Sequence, residues 1–263
     1  MTELSSATPT WTRYVAIGDS FTEGLWDVVP DDDTRCRGWA DILAAHLSTR
    51  RTDAGAVPLE YANLAIRGRL LGPILDEQLD RAIAMRPALL SLNGGGNDIL
   101  RPRVSIESVA DRIEAAVDTA VAAGIHVLLV SGGNPTHHIP FGTSIGTRGD
   151  ALAAAMRLRL PKPGVTFVDN WADAELTDLR YWSSDKLHLN SRGHERVASN
   201  VLAGLGVPVP DNGRHEDPTR PATAAYWRDF VLPWIGRRLT GRSSGDGREA
   251  KIASLQPVSP PQD

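Results

Sequence analysis

The stretch of sequence that decides the fold is YVAIGDS, residues 14–20. Its first four residues are apolar on both faces of a strand, which is typical of a strand buried on both sides, as in a parallel sheet. Gly18 ends the run, and Ser20 follows at the point where a helix can begin. The stretch therefore predicts a strand, a turn and a helix, with a serine at the rim of the sheet.

Four further short apolar runs, each followed by a turn signal, continue this pattern along the chain. They cover residues 59–65, 88–92, 126–130 and 165–168. Helical periodicities follow at residues 39–47, 70–85, 106–123 and 191–205. Strands that alternate with helices indicate right-handed βαβ units. We therefore expect residues 11–206 to form one α/β domain, a three-layer α/β/α sandwich around a five-stranded parallel sheet.

The chain changes character after residue 206. Residues 207–213 are expected to be a linker, and residues 221–239 show the apolar spacing of one more helix, in which Pro233 predicts a kink. We expect this appendage, residues 207–240, to pack its aromatic face on the sandwich. The alternative is peripheral contact with a membrane surface, favoured by nearby arginines. The Gly-, Ser- and Pro-rich residues 241–263 predict a disordered tail.

Composition and charge exclude several classes of binding site and of protein. The 263 residues carry 28 basic and 32 acidic side chains, so we expect no broad electrostatic surface for nucleic acid. Cys36 is the only cysteine, which excludes an intrachain disulfide and a cysteine-rich metal site. The first residues lack the basic and apolar regions of a signal peptide, and no apolar run approaches the ~20 residues that span a bilayer. We expect a cytoplasmic protein without an integral membrane segment.

Candidate functional residues follow the predicted strands, at the edge of an open parallel sheet where ligands bind. Ser20 follows the first strand, Gly68 the second and Asn97 the third, while Asp185 and His188 lie on a loop before the last helix of the sandwich. Taken singly, the serine could be a helix N-cap and the glycine a turn residue. An aspartate can also hold a histidine so that its second ring nitrogen acts as a base. The presence of all five residues in this order is a far more specific sign of a catalytic site than any one of them.

At these positions the sequence resembles the SGNH hydrolases, the GDSL-type esterases and lipases, whose four sequence blocks are all present in order. The blocks are Gly18-Asp19-Ser20 with Phe21 in place of the usual leucine, Asn63 to Gly68, Gly95 to Asp98, and Asp185 to His188. The resemblance covers roughly residues 13–204 and leaves the C-terminal segment unexplained.

The resemblance implies a flavodoxin-like fold and a serine hydrolase that cleaves carboxylic esters, with short-chain acyl esters as the first expectation. It makes Ser20 the nucleophile, His188 the general base and then the acid, and Asp185 the group that orients His188. The Ser20 N–H, the Gly68 N–H and the Asn97 side-chain amide would form the oxyanion hole. The implied partner is a small-molecule ester, and no metal or organic cofactor is implied.

Three other interpretations stay open at this point. Residues 142–146, GTSIG, match the G-x-S-x-G pattern of α/β-hydrolases, which would make Ser144 the nucleophile, but that elbow needs a strand running directly into the serine. The adjacent histidines 137 and 138 could bind zinc with a later histidine, although that spacing is poor for one ion. The fold could also serve as a catalytically inactive binding domain.

Overall fold

A six-stranded sheet lies at the centre of the computed structural model, which describes residues 11–29, 32–209, 223–233 and 244–258. The strands of these residues are, in chain order, β1 (Arg13–Ile17), β2 (Val28–Val29), β3 (Asp32–Cys36), β4 (Glu60–Asn63), β5 (Leu89–Leu92), β6 (His126–Val130), β7 (Val165–Val168) and β8 (Ile252–Pro257). The sheet has the order β7-β6-β5-β1-β4-β8, and β2 pairs with β3 as a separate hairpin. The five strands predicted from the sequence are confirmed, and all five are parallel.

Helices cover both faces of this sheet. In chain order they are α1 (Ser20–Glu23), α2 (Trp39–Asp53), α3 (residues 71–84, with a π-helical turn at Ile74–Leu79), α4 (Gly96–Ile99), α5 (Ile106–Ala122), α6 (Gly142–Arg159), α7 (Ser191–Gly204) and α8 (residues 223–231). Successive side chains of β1 point to opposite faces. Tyr14 and Ala16 therefore enter a core with α2 and α7, while Val15 and Ile17 enter a second core with α3, α5 and α6. This arrangement confirms the three-layer sandwich.

The strand order also fixes where a ligand would bind. The chain leaves β1 toward β4 on one side and then crosses to β5 on the other side, which is the flavodoxin-like order. The switch point therefore lies between β1 and β5, beyond their carboxyl ends. Ser20 directly follows β1 and Asn97 follows β5, so both lie at this crevice.

Helix α6 was not expected from the sequence. Its first half contains three glycines, and each glycine in a helix interior costs about 1 kcal/mol relative to alanine. Packing compensates for this low helix propensity. Gly149 lies directly against the ring of Trp171, since a Cβ added at Gly149 would be 2.0 Å from that ring. Gly149, one of the glycines that hide the helix in the sequence, is therefore what allows Trp171 to lie against it.

The C-terminal residues correct another expectation. The sequence predicted disorder over residues 241–263, but β8 pairs antiparallel with β4 as the sixth strand of the sheet. Pairing satisfies the N–H and C=O groups along the open edge of β4, a gain that composition alone does not reveal. Ile252 and Leu255 also pack against the two cores. The prediction of disorder is therefore wrong for residues 244–258, and residues 241–243 and 259–263 lie outside the described residues.

Helix α8 lies within the helix predicted at residues 221–239. The Leu232 N–H bonds to the carbonyl of Trp227, a π-type turn immediately before Pro233, which has no N–H to donate. Residues 210–222 and 234–243 lie outside the described residues, so the linker from residue 210, the rest of the helix and its arginines stay predictions. None of the described helices is both long and apolar enough to cross a bilayer.

Candidate active site

The loop between β1 and α1 carries Ser20 to the start of a helix. Gly18 turns this loop with φ of +155°, and a Cβ there would lie 2.6 Å from a neighbouring hydroxyl oxygen. Gln78 holds the turn, because its Oε1 accepts from the Gly18 N–H at 2.8 Å and its Nε2 donates to the Gly18 carbonyl at 3.1 Å. Asp19, not Ser20, caps α1 by accepting from the Phe21 N–H at 3.0 Å. The Ser20 hydroxyl is therefore available for another partner.

That partner is His188, which in turn contacts Asp185. The Ser20 Oγ lies 3.1 Å from His188 Nε2, and His188 Nδ1 lies 2.6 Å from Asp185 Oδ2. A carboxylate accepts but does not donate, so Nδ1 carries the proton. Nε2 then accepts the hydrogen bond from the serine hydroxyl.

The second oxygen of Asp185 is held by three donors. Its Oδ1 accepts from Ser183 Oγ at 2.7 Å and from the backbone N–H groups of Leu187 and His188 at 2.9 Å each. Burial alone would raise the pKa of Asp185, but the charge of His188 and these hydrogen bonds hold it well below its usual value. Burial would likewise lower the pKa of His188, and Asp185 raises it above the ordinary value instead.

The side-chain amide of Asn97 lies across the crevice but is already engaged. Its Nδ2 donates to Asp19 Oδ2 at 3.1 Å and to the Arg69 carbonyl at 2.9 Å. Both neighbours are acceptors, so the amide nitrogen and not its oxygen faces them. Within the described residues, the backbone N–H groups of Ser20 and Gly68 donate to no protein atom. Two of the three predicted oxyanion donors are therefore unpaired.

An ion pair that the sequence analysis missed ties the glycine block to α1. Arg67 donates to the Glu23 carboxylate through its backbone N–H at 2.6 Å and its Nε at 2.8 Å, and its terminal guanidinium nitrogen contacts the same carboxylate. The two side chains are only 15% and 9% exposed. Because Arg67 directly precedes Gly68, the pair fixes the backbone that presents the Gly68 N–H. Both residues flank motif positions, but nothing in one sequence pairs charges 44 positions apart.

A family model described as the GDSL-like lipase/acylhydrolase family matches residues 16–196, most of the chain. The chain belongs to this family. It is therefore a carboxylic ester hydrolase of the SGNH superfamily. A comparison with curated proteins found no match.

Several solved structures share the fold of this GDSL-like hydrolase. The lipase Lip_vut3 from a goat rumen metagenome is 16% identical, with a TM-score of 0.60 and coverage of 75% of this chain and 99% of that chain. Axe2, an acetylxylan esterase from Geobacillus stearothermophilus, is 16% identical, with a TM-score of 0.58 and coverage of 77% and 97%. LAE5, an α/β hydrolase enzyme from the metagenome of Lake Arreo, Spain, is 19% identical, with a TM-score of 0.57 and coverage of 74% and 95%. At these identities the likeness concerns the fold alone.

A cavity of about 160 Å³, the inner cavity, opens at Ser20, Asn97 and His188 in this GDSL-like hydrolase. Beyond them it reaches between the sheet and α6. Its apolar walls include Ile113, Leu129, Ile145, Leu152, Met156 and Phe167. Trp182 and His194 are buried and also line it. The inner cavity can hold a small apolar group next to the Ser20 hydroxyl.

A second cavity of about 260 Å³, the outer cavity, shares Leu25, Leu187 and His188 with the inner cavity as walls. It is enclosed by α8 and by the loop that carries Asp185 and His188. Trp26, Tyr226 and Phe230 supply its aromatic walls. The segment that the sequence analysis treated as an appendage therefore borders the site.

The competing nucleophile lacks its required setting. Ser144 is exposed in the first turn of α6, and the preceding strand, β6, ends at Val130, so no strand runs directly into it. The α/β-hydrolase interpretation is therefore wrong on structural grounds. Within the part of the chain that the structure describes, no three His, Cys, Asp or Glu side chains are arranged to hold a metal ion.

Proposed function

We propose that this hydrolase cleaves esters of short apolar acyl groups through a covalent acyl-enzyme, with Ser20 as the nucleophile. The observation that carries the proposal is the hydrogen-bond chain from Ser20 Oγ through the His188 ring to Asp185 Oδ2, at 3.1 and 2.6 Å, at the mouth of an apolar cavity. A serine hydroxyl is a weak nucleophile and needs an adjacent base that is itself held in place. The hydrogen-bond chain supplies both, since His188 is the base and Asp185 holds it in place.

The reaction proceeds in two balanced steps. The Ser20 Oγ attacks the ester carbonyl carbon while its proton moves to His188 Nε2, and the carbon–oxygen bond to the alcohol then breaks as Nε2 returns that proton to the leaving oxygen. A water next attacks the acyl-enzyme, giving one proton to Nε2, and the acid departs as Ser20 recovers the proton. The Asp185 carboxylate stabilises the imidazolium formed in each step.

The negative oxygen of the tetrahedral intermediate would face the unpaired N–H groups of Ser20 and Gly68. The Ser20 N–H also lies at the N-terminus of α1, where the partial charge is positive. Asn97 would be a third donor by sharing an N–H that now bonds to Asp19. One such donor is typically worth about 3–4 kcal/mol in the barrier.

The size of the inner cavity supports a short acyl group. A cavity of roughly 150 Å³ lined by Leu, Ile and Phe holds a benzene molecule, which has six carbons. At about 160 Å³ with similar walls, the inner cavity fits an acyl chain of about that size. We therefore expect acetate to hexanoate esters to be cleaved best, and longer chains progressively more slowly.

The test compares Ser20→Ala with Ser144→Ala as a matched serine control. We expect Ser20→Ala to lose turnover of p-nitrophenyl acetate, butyrate and hexanoate with an unchanged melting temperature, and Ser144→Ala to keep it. A fluorophosphonate should label Ser20 in the wild type, as located by mass spectrometry. Retained turnover in Ser20→Ala, or a label at another residue, would contradict the proposal, and an unlabelled inactive protein would favour a binding domain.

A further inference from the structure

We propose that the outer cavity, built by α8, is the site for the leaving alcohol, and that it selects an apolar alcohol the size of one ring. The inference rests on the proposed function, because it assigns the two sides of an ester to the two cavities. It gives α8, which lies beyond the residues matched by the family model, a direct contact with substrate.

The assignment follows from the geometry of acyl transfer. The acyl carbon bonds to Ser20 Oγ and its oxygen points to the oxyanion donors, whereas the leaving oxygen must lie where His188 Nε2 can protonate it. The inner cavity contacts Ser20 and Asn97 as well as His188. The outer cavity contacts His188 and Asp185, and neither Ser20 nor Asn97 is among its walls. The outer cavity is therefore on the leaving-group side.

Aromatic contacts hold α8 at this position. Tyr226 and Phe230 are four residues apart, so they share one helix face, and their ring centroids lie 6.0 Å apart. Phe230 meets the ring of Trp26 edge-on at 6.1 Å. The Nζ of Lys186, which lies between Asp185 and His188 in the sequence, sits 4.4 Å above the centre of the Tyr226 ring. The helix is thus joined to the loop that carries the base.

The walls of the outer cavity favour an apolar ring over a sugar. Of its polar side chains, Asp185 is occupied by His188 and three further donors, and Asp229 is paired with Arg228 at 2.6 and 2.8 Å. Ser244 and Tyr226 add one hydroxyl each, and Trp26 adds an indole N–H. A sugar would bury several hydroxyl groups against these aromatic walls, and each one left unpaired is costly. A phenyl or cyclohexyl group instead gains contact with Phe230 and Tyr226.

The experiment compares benzyl acetate, ethyl acetate and an acetylated methyl xyloside, which all form the same acetyl-enzyme. We expect the wild type to prefer benzyl acetate in kcat/KM. Phe230→Ala should lower kcat/KM for benzyl acetate by about 3- to 10-fold and change kcat/KM for ethyl acetate little. The deacylation rate should not change, because the alcohol has already left. Trp227→Ala, on the same helix but outside the cavity walls, is the matched control.

Three results would overturn the inference: an equal loss for benzyl and ethyl acetate in Phe230→Ala, the same loss in Trp227→Ala, or a preference for the acetylated xyloside. If Phe230→Ala does not fold, Phe230→Trp provides a second test. Its larger ring should fill part of the outer cavity and so reduce the ratio of kcat/KM for benzyl acetate to kcat/KM for ethyl acetate. Fluorophosphonate labelling separates the two proposals. If Ser20 is labelled but the ratio of kcat/KM for benzyl acetate to ethyl acetate is the same in the wild type and the Phe230 variants, only the assignment of the alcohol site is contradicted.

Discussion

The Lys251 Nζ donates a hydrogen bond to the backbone carbonyl of Glu23, 2.6 Å away and 228 positions earlier in the chain. The same ammonium also donates to the Cys36 carbonyl at 3.0 Å and to Asp41 Oδ2 at 2.6 Å. Glu23 ends α1, the helix that begins with Ser20, and the last carbonyls of a helix have no partner within it. Lys251 supplies one, so the C-terminal segment braces the helix that carries the proposed nucleophile.

Replacing Lys251 by methionine should lower the free energy of unfolding by about 2–3 kcal/mol, because Asp41 and two carbonyls lose a charged donor. Urea unfolding at neutral pH measures this loss. Arg248→Met is the control, since Arg248 is an exposed residue of the same segment.

The cost of Lys251→Met should also depend on pH. Burial raises the pKa of Asp41, and Lys251 opposes that rise. Without Lys251 the folded-state pKa of Asp41 rises further above its unfolded value, so the variant loses additional stability as pH increases from about 4 toward neutral. The loss should therefore be smaller in acid, and a pH-independent loss would show that Asp41 is not the group left unpaired.

The pH dependence of kcat/KM should follow His188. The proposed base must be neutral, so kcat/KM should rise with pH through the pKa of His188, which Asp185 holds above its ordinary value despite burial. Asp185→Asn should move this rising limb to lower pH and reduce kcat on the order of 10⁴-fold, because the wrong ring nitrogen then carries the proton. A limb that stays in place in Asp185→Asn would contradict the assignment of this titration to the pair.

Asp19 should make the protein less stable at neutral pH. Burial raises the pKa of Asp19 to about 6, against an unfolded value of about 3.8, so ionisation is harder in the folded state and stability falls as pH rises between these values. The full effect at pH 7 is about 3 kcal/mol. In Asp19→Asn this pH dependence should disappear, although the variant also loses an acceptor for Asn97. Urea unfolding at about pH 4 and pH 7 measures the free energy of unfolding of the wild type and of Asp19→Asn. The difference in this free energy between the two proteins should change between the two pH values.

Asn97→Ala should lower kcat by about 10²–10³-fold with less effect on KM, if its amide reaches the oxyanion. The alternative is that Asn97 only anchors Asp19 and the Arg69 carbonyl, its two present partners. In that case kcat should change little while the melting temperature falls. Steady-state kinetics with p-nitrophenyl butyrate, together with thermal melting, distinguishes these outcomes.

Local pattern was enough to predict the five parallel strands and the residues that follow them. A buried strand needs apolar side chains on both faces, and the site lies where such strands end, so Ser20 and Asn97 could be located without coordinates. Asp185 and His188 stood out only together with the three earlier blocks, because an aspartate and a histidine three residues apart also occur by chance. The strands needed only short-range sequence information, whereas the site needed the order of all four blocks along the chain.

The contacts that a single sequence hides are those between distant residues. The pairing of Glu23 with Arg67 and of Lys251 with Asp41 spans 44 and 210 positions, and no local sequence pattern links the two partners of either pair. The strand β8 was missed because its stability comes from the edge of β4 rather than from its own composition. The outer cavity was missed because it needs α8 to fold back over the Asp185–His188 loop.

The sixth strand has a practical consequence for where this protein can be cut. The family model ends at residue 196, yet β8 lies at Ile252–Pro257 and Gly245 lies so close to the glycine block that a Cβ there would be 2.0 Å from the Arg67 carbonyl. A chain shortened to the matched region would leave β4 unprotected and free to pair with another copy, so it should self-associate and precipitate. The boundary of sequence similarity is therefore not the boundary of the cooperative folding unit.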